Sequence, residues 1–124
     1  MKKGTESDMY RLAKDIQIRK VPHAQNGDGE VTFYDWLLAE EARGHGRLFS
    51  KIVIPPGASI GDHTHHEEFE AFYILEGEAF INDNGTQIHL HAGDMHLCAE
   101  GDTHGTRNAS EDTDLVMLAL IMKA

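Results

Sequence analysis

From residue 46 to the end of the chain, runs of strand-forming residues are broken every several positions by proline, glycine or an Asn-Gly pair. That punctuation leaves few folds open. GRLFSKIVIPPG reads as a strand ended by Pro55 and Pro56, whose missing N–H donors suit a strand end or a sheet edge. GEAFIND and TQIHLHA flank Asn84-Gly85, a hairpin signal because both central positions of a type I′ turn need positive φ. MHLCA and THGTRNA follow as short strands around Glu100-Gly101-Asp102. DLVMLALIMK closes the chain as an almost wholly apolar strand, which implies cover on both of its faces. Eight or more short strands with frequent turns predict an all-β fold, a small antiparallel barrel or double-sheet jelly roll.

The first half adds less regular pieces. Residues 9–20 contain a short alternation around Ile16 and Ile18 that predicts an edge strand after an N-terminal arm, taken as residues 1–20 and able to pair with the sheet edge of a partner subunit. Residues 21–30, VPHAQNGDGE, read as a loop. VTFYDWLLAEEARG opens with strand formers and ends in LLAEEA, one short helical turn stopped by Gly44. A chain of 124 residues suits one domain, so residues 21–124 are expected to form a single barrel.

The first 20 residues hold six of the 11 Lys and Arg but three of the 21 Asp and Glu, leaving the rest strongly acidic. Such a field repels phosphates, which excludes nucleic acid and anionic membrane as expected partners. Basic residues at the start are followed by no apolar run, no stretch has the roughly 18 consecutive apolar residues of a membrane span, and Cys98 is the single cysteine. These features predict a cytoplasmic protein without an internal disulfide.

The chemistry concentrates in residues 57–77, GASIGDHTHHEEFEAFYILEG. On an extended strand His63 and His65 point to the same side, and Glu70 opens the next strand, EAFYILE, so a turn through His66 and Glu67 brings the three together. Imidazoles with one carboxylate suit Mn, Fe, Co, Ni or Zn and poorly suit Ca or Mg, which prefer oxygen cages.

This stretch resembles the first motif of the cupin family, Gly-x5-His-x-His-x(3,4)-Glu-x6-Gly, with Gly57, His63, His65, Glu70 and Gly77 in place. GDMHLCAEGDTHGTRN is similar to the second motif, with Gly93, Gly101, His104 and Asn108 at the family spacing and Ala99 where the motif has proline. The resemblance implies a double-stranded β-helix, and it implies His63, His65, Glu70 and His104 as ligands of one divalent transition metal. It also implies back-to-back homodimers, which would give the apolar C-terminal strand its outer cover.

Other residues border on this site. Glu68 is a rival ligand, but its offset from His65 is too short for the family pattern. Phe72 and Ile74 share parity with Glu70 and are expected to form an apolar wall beside the metal, and His96 can line the pocket from the strand that also carries Cys98, itself expected to be a buried thiol. In GRLFSKIVIP one face carries Leu48, Ser50, Ile52 and Ile54, the other Arg47, Phe49, Lys51 and Val53; if the face with the two cations points inward, Arg47 or Lys51 can hold an anionic substrate. His89 and His91 share one face of their strand, but two histidines without a third ligand bind metal weakly.

Four protein ligands leave one or two positions open, where water, dioxygen or a bidentate carboxylate or enediol can sit. The function expected is therefore a metalloenzyme acting on a small polar oxygenated molecule, by dioxygenase, decarboxylase, lyase or isomerase chemistry, with no separate catalytic acid or base identified. The alternative is a non-catalytic small-ligand binding or sensing module.

Overall fold

The computed structural model describes residues 10–124. Ten strands follow one another: β1 (Gln17–Pro22), β2 (Glu30–Leu37), β3 (Gly46–Ile54), β4 (Ser59–Thr64), β5 (Glu68–Glu76), β6 (Glu78–Asp83), β7 (Thr86–His91), β8 (Met95–Cys98), β9 (Thr103–Asn108) and β10 (Leu115–Lys123). They form two antiparallel sheets, a six-stranded one in the order β1-β2-β3-β10-β5-β8 and a four-stranded one in the order β4-β9-β6-β7. This is the expected jelly roll. Asn84 and Gly85, at φ 49° and 96°, turn the β6–β7 hairpin in the conformation their sequence predicts. Among the described residues no helix is long and apolar enough to cross a membrane.

The helical content differs in detail from expectation. LLAEEA yields a 3-10 turn at Ala39–Ala42, begun by the Leu38 N–H donating to Glu41 at 2.9 Å and stopped because Arg43 and Gly44 both take left-handed φ. Two further 3-10 turns occur, at Ala13–Asp15 and at Ala24–Asn26, the latter inside the segment expected to be plain loop. Val21 and Pro22 of that segment instead extend β1, which pairs with β2 of its own chain from Gln17↔Asp35 to Pro22↔Glu30 and forms the edge of its sheet. Of the arm expected at 1–20, residues 1–9 lie outside the described residues.

β10 lies between β3 and β5 and organises the core. Its Leu115, Met117, Ala119 and Ile121 are buried, and register sets Met117 beside both Ile52 and Ile74. The two sheets are separate hydrogen-bonded ladders, so the side chains between them hold the sandwich closed. Ile52, Ile54, Ile74, Ile81 and Leu115 are all buried there, each contributing about 1.5–3 kcal/mol relative to exposure. The outward residues of β10, Val116, Leu118, Leu120 and Met122, are only half-buried, and beside them Tyr73, Leu75, Met95 and Leu97 are exposed. The orientation of GRLFSKIVIP is settled as well: Ser50, Ile52 and Ile54 point inward with Leu48, whereas Lys51 lies outside over the ring of Tyr34 at 4.4 Å.

Two motif residues are structural. Gly77 sits at φ 85°, and a Cβ there would run into the carbonyl oxygen of Asp114. Asn108 is buried and braces the turn before β10: its side-chain amide donates to the carbonyls of Ile54 and Thr113, both at 2.8 Å, and its oxygen accepts from the Ser110 N–H at 2.7 Å.

Candidate metal centre

Three strands and one turn deliver four donors to a single point. His63 on β4 is the direct antiparallel partner of His104 on β9; His65 lies just past the end of β4, and Glu70 is on β5 in the other sheet. The expected strand through both His63 and His65 thus ends at Thr64, and Glu67, at φ 61°, makes the turn into β5. The Nε2 atoms converge: His65 to His104 is 3.1 Å and His104 to His63 is 3.1 Å. Glu70 Oε1 is 3.1 Å from His65 Nε2, 2.9 Å from His104 Nε2 and 4.0 Å from His63 Nε2. His65, Glu70 and His104 are buried, and His63 is partly so.

The far side of the rings decides what these atoms can do. His63 Nδ1 faces the Gly61 carbonyl at 2.7 Å and His65 Nδ1 faces the Glu68 carboxylate at 2.5 Å, so each Nδ1 carries the proton of a neutral ring and each Nε2 presents a bare lone pair to the centre. Lone pairs and a carboxylate crowded together repel one another unless a cation joins them. The donor set therefore fits a metal ion of the transition series. Glu68 supports this arrangement from behind: its two oxygens accept from Arg47 Nε and Nη2, both at 2.8 Å, so Arg47 holds Glu68 and Glu68 holds His65. The sequence offered Glu68 as a rival ligand, and the fold turns it to the opposite side of the His65 ring.

The electrostatics follow the same geometry. Burial pushes the Glu70 carboxyl up, but where His104 and His65 are protonated on Nε2 in place of ligating, the hydrogen bonds they donate outweigh it and hold the group down at about 2. Hydrogen bonding to Glu70 raises His65, against burial and with help from Glu68, while burial lowers His63. Glu68 is lowered to about 2, chiefly by its hydrogen bonds from Arg47. The Cys98 thiol is buried, donates to the Asp102 carbonyl at 3.4 Å and is pushed up to about 11 by desolvation, the opposite of an activated nucleophile. Ala99, where the motif has proline, begins a turn held by other means: Gly101 N–H donates to the His65 carbonyl at 2.7 Å and His65 N–H to the Asp102 carbonyl at 3.2 Å. These paired bonds tie the turn before His104 to His65.

A cavity of about 210 Å³ opens on the four donors, walled by Phe33, Ile52, Ile60, Phe72 and Met117, with Arg19, Gln25 and Arg47 also lining it. Phe72 and Arg47 are among the residues lining this cavity, Arg47 although its strand turns the opposite face, with Ser50 and Ile52, inward. Ile74 is instead fully buried core, and His96 lies behind the centre, its ring stacked on His104 at 5.4 Å and tilted against Phe72 at 5.2 Å. Both sit outside the cavity lining. Arg47 reaches it from the start of β3, where a register break at the β10 pairing frees it from strict alternation. Arg19 is a lining residue that the sequence reading omits. It is fixed to buried Asp35 through Nε at 2.5 Å and Nη2 at 3.0 Å, and Ser50 donates to the same carboxylate at 2.6 Å. Its parity with Val21 on β1 was the available signal; its partner on β2 was not readable.

A two-sheet jelly roll that gathers three histidines and one glutamate inside defines a class, the small cupin barrels. The chain belongs to the cupin family: the Cupin domain model matches residues 50–121. It is 37% identical over 122 residues, 98% of each chain, to the oxalate-binding protein of Thermotoga maritima. The crystal structure of a predicted oxalate decarboxylase from Thermotoga maritima superposes with a TM-score of 0.86 at 35% identity, covering 94% of this chain and 100% of that one. An RmlC-like cupin from Shewanella frigidimarina, at 19% identity, has a TM-score of 0.67 over 95% of this chain and 93% of its own, and shares the fold alone.

Proposed function

We propose that His63, His65, Glu70 and His104 bind one divalent transition metal, and that the protein is a metal-dependent cupin enzyme acting on a small oxygenated acid, with oxalate the first substrate to test. The observation that carries this reading is the convergence of three Nε2 atoms and Glu70 Oε1 on one side of a cavity of about 210 Å³. That volume lies below the ~300–1,000 Å³ of drug-sized sites, which limits an occupant to a few heavy atoms. A bound divalent metal supplies a Lewis acid that draws charge from carboxylate oxygens. The chain's own residues do the rest: Glu68 and Arg47 orient His65, Phe72 and Met117 exclude water, and Arg19 and Arg47, each paired with a carboxylate, bring guanidinium groups to a lining that also holds Gln25 and Thr106. The likeness to a protein named for binding oxalate and to one described as a predicted oxalate decarboxylase supports the choice of substrate.

A second reading, binding without turnover, is favoured by one observation. Among the described residues Glu70 is the single carboxylate lining the cavity and belongs to the donor set, so none of them supplies a separate carboxylate to move a proton. One experiment divides the readings: elemental analysis of the purified protein and of the H65A/H104A variant, then calorimetric titration with oxalate and measurement of formate and carbon dioxide. Metal and turnover support the enzyme; metal and binding alone support the binder; full metal content in the variant, or no response to oxalate, refutes the proposal. We also infer a homodimer across the outer face of the six-stranded sheet, where half-buried Leu118 and Leu120 adjoin exposed Tyr73, Leu75, Met95 and Leu97. Contiguous apolar surface of this kind marks an interface, and two-fold pairs are the commonest closed assembly. Light scattering that finds a 13.8 kDa particle at every concentration refutes it.

A further inference from the structure

The sequence offers His89 and His91 as a pair lacking a third ligand, and the fold supplies one. Both rings project from the outer face of β7, because Ile88 and Leu90 between them turn toward the core. β6 pairs with β7 so that Glu78 lies directly opposite His91. Glu78 Oε1 sits 2.9 Å from His89 Nε2 and 3.5 Å from His91 Nε2, and the two ring centroids are 4.4 Å apart. Phe80, the next outward residue on β6, packs its ring 4.8 Å from that of His89 and limits how that imidazole can turn. The three donor atoms lie within 4.8 Å of one another, as the four of the buried centre do.

We propose that Glu78, His89 and His91 form a second binding site for a divalent transition metal on the outer face of the four-stranded sheet. A single carboxylate oxygen shared by two imidazole nitrogens is a convergent donor arrangement rather than an ordinary ion pair, which needs one ring only. Two imidazoles and a carboxylate select late first-row ions such as Zn or Ni over Ca and Mg. The donors stand on adjacent hydrogen-bonded strands, so little backbone ordering is needed to assemble them. A net charge of −10 adds a long-range attraction for any cation. The site is exposed where the buried centre is enclosed, and it has three donors instead of four, so it is the weaker of the two and exchanges with solvent ions.

Equilibrium dialysis of the full-length protein against Zn, read by elemental analysis, tests the assignment. The wild type is expected to take up two equivalents, H89A/H91A one, and H65A/H104A one; in amide NMR, substoichiometric Ni should broaden Glu78, Phe80 and Ile88 in H65A/H104A. E78Q should lower the affinity of the weaker equivalent. Because all three residues are outward-facing, H89A/H91A should fold, and its retained equivalent reports that it has. Two equivalents in H89A/H91A, or an equivalent in H65A/H104A whose broadening lies away from β6 and β7, overturns the inference. A wild type that binds one equivalent, lost in H65A/H104A, overturns it too, whereas one equivalent lost only in H89A/H91A overturns the buried site and leaves this one standing.

Discussion

Replacing Glu68 with alanine removes no ligand, yet it should weaken metal binding by about 10- to 100-fold. The magnitude comes from what remains behind. The His65 ring is only 2% exposed, and the Glu68 carboxylate is the partner of its Nδ1–H at 2.5 Å. Leaving a buried donor unpaired costs about 1–3 kcal/mol, and freeing the ring to rotate or to move its proton to Nε2 blocks the lone pair that the metal needs. At about 1.4 kcal/mol per tenfold, that cost corresponds to the range given. Arg47 sets the contrast: its side chain is 54% exposed, so Arg47→Ala leaves a charge pair that water replaces, worth about 1 kcal/mol or less. Glu68→Gln can still accept from Nδ1 and should fall between wild type and alanine. Competition against a chromophoric chelator at fixed pH measures the affinities, with melting of the metal-free variants as a control for folding. An E68A protein that folds and holds metal within about twofold of wild type sinks the argument and makes the Arg47–Glu68–His65 chain a surface ion pair.

Three other outcomes follow from single sites. In the metal-free protein His65 is raised by Glu70, so its contribution to stability is fully present below the unfolded imidazole value near 6.5 and is lost as pH rises through the folded one; metal uptake runs the other way, and the gap between metal-free and metal-loaded melting temperatures should widen from about pH 6 to 8. A gap that stays constant over that range contradicts histidine ligation. Gly77→Ala combines left-handed strain of about 1–2 kcal/mol with a clash against Asp114, whereas Gly57→Ala, at φ 82° in open space, carries the strain alone, so denaturant melts should rank Gly77→Ala well below Gly57→Ala. Cys98, buried with its thiol held at about 11, should react with a disulfide reagent at neutral pH only when denaturant opens the barrel; prompt labelling of the native protein contradicts the placement.

What the sequence revealed of the fold was local. Asn84-Gly85 dictates its turn because the required φ values belong to those two residues, and Pro55-Pro56 ends β3 for the same kind of reason. Pairing across the sheets is decided elsewhere. Nothing in GRLFSKIVIP states which face is inward, since both carry apolar residues; the choice is made by β10, whose Met117 and Ala119 stand beside Ile52 and Ser50. The 3-10 turn at Ala24–Asn26 was invisible for a similar reason. It is held against β4, where Gly27 and Gly61 let two backbones approach so closely that a Cβ on either would strike the other segment.

The site divides along the same line. His63, His65 and Glu70 were legible because a two-residue step and one turn determine where they point, and His104 followed from a spacing that the β4–β9 pairing explains after the fact. The residues that tune those donors were not legible. Glu68 stands three positions from His65 and resembles a competing ligand until Arg47, 21 residues upstream, is seen to hold it on the far side of the ring. His96 alternates correctly for the pocket, yet register sets it opposite Phe72, and the space it would have entered is taken by the rings of Phe72 and His104. Glu78 completes its surface cluster only because a hairpin aligns it with His91. A ligand can be read from spacing along one strand, but its support depends on which strands become neighbours, so the reactivity of this centre is set by pairings that no short motif contains.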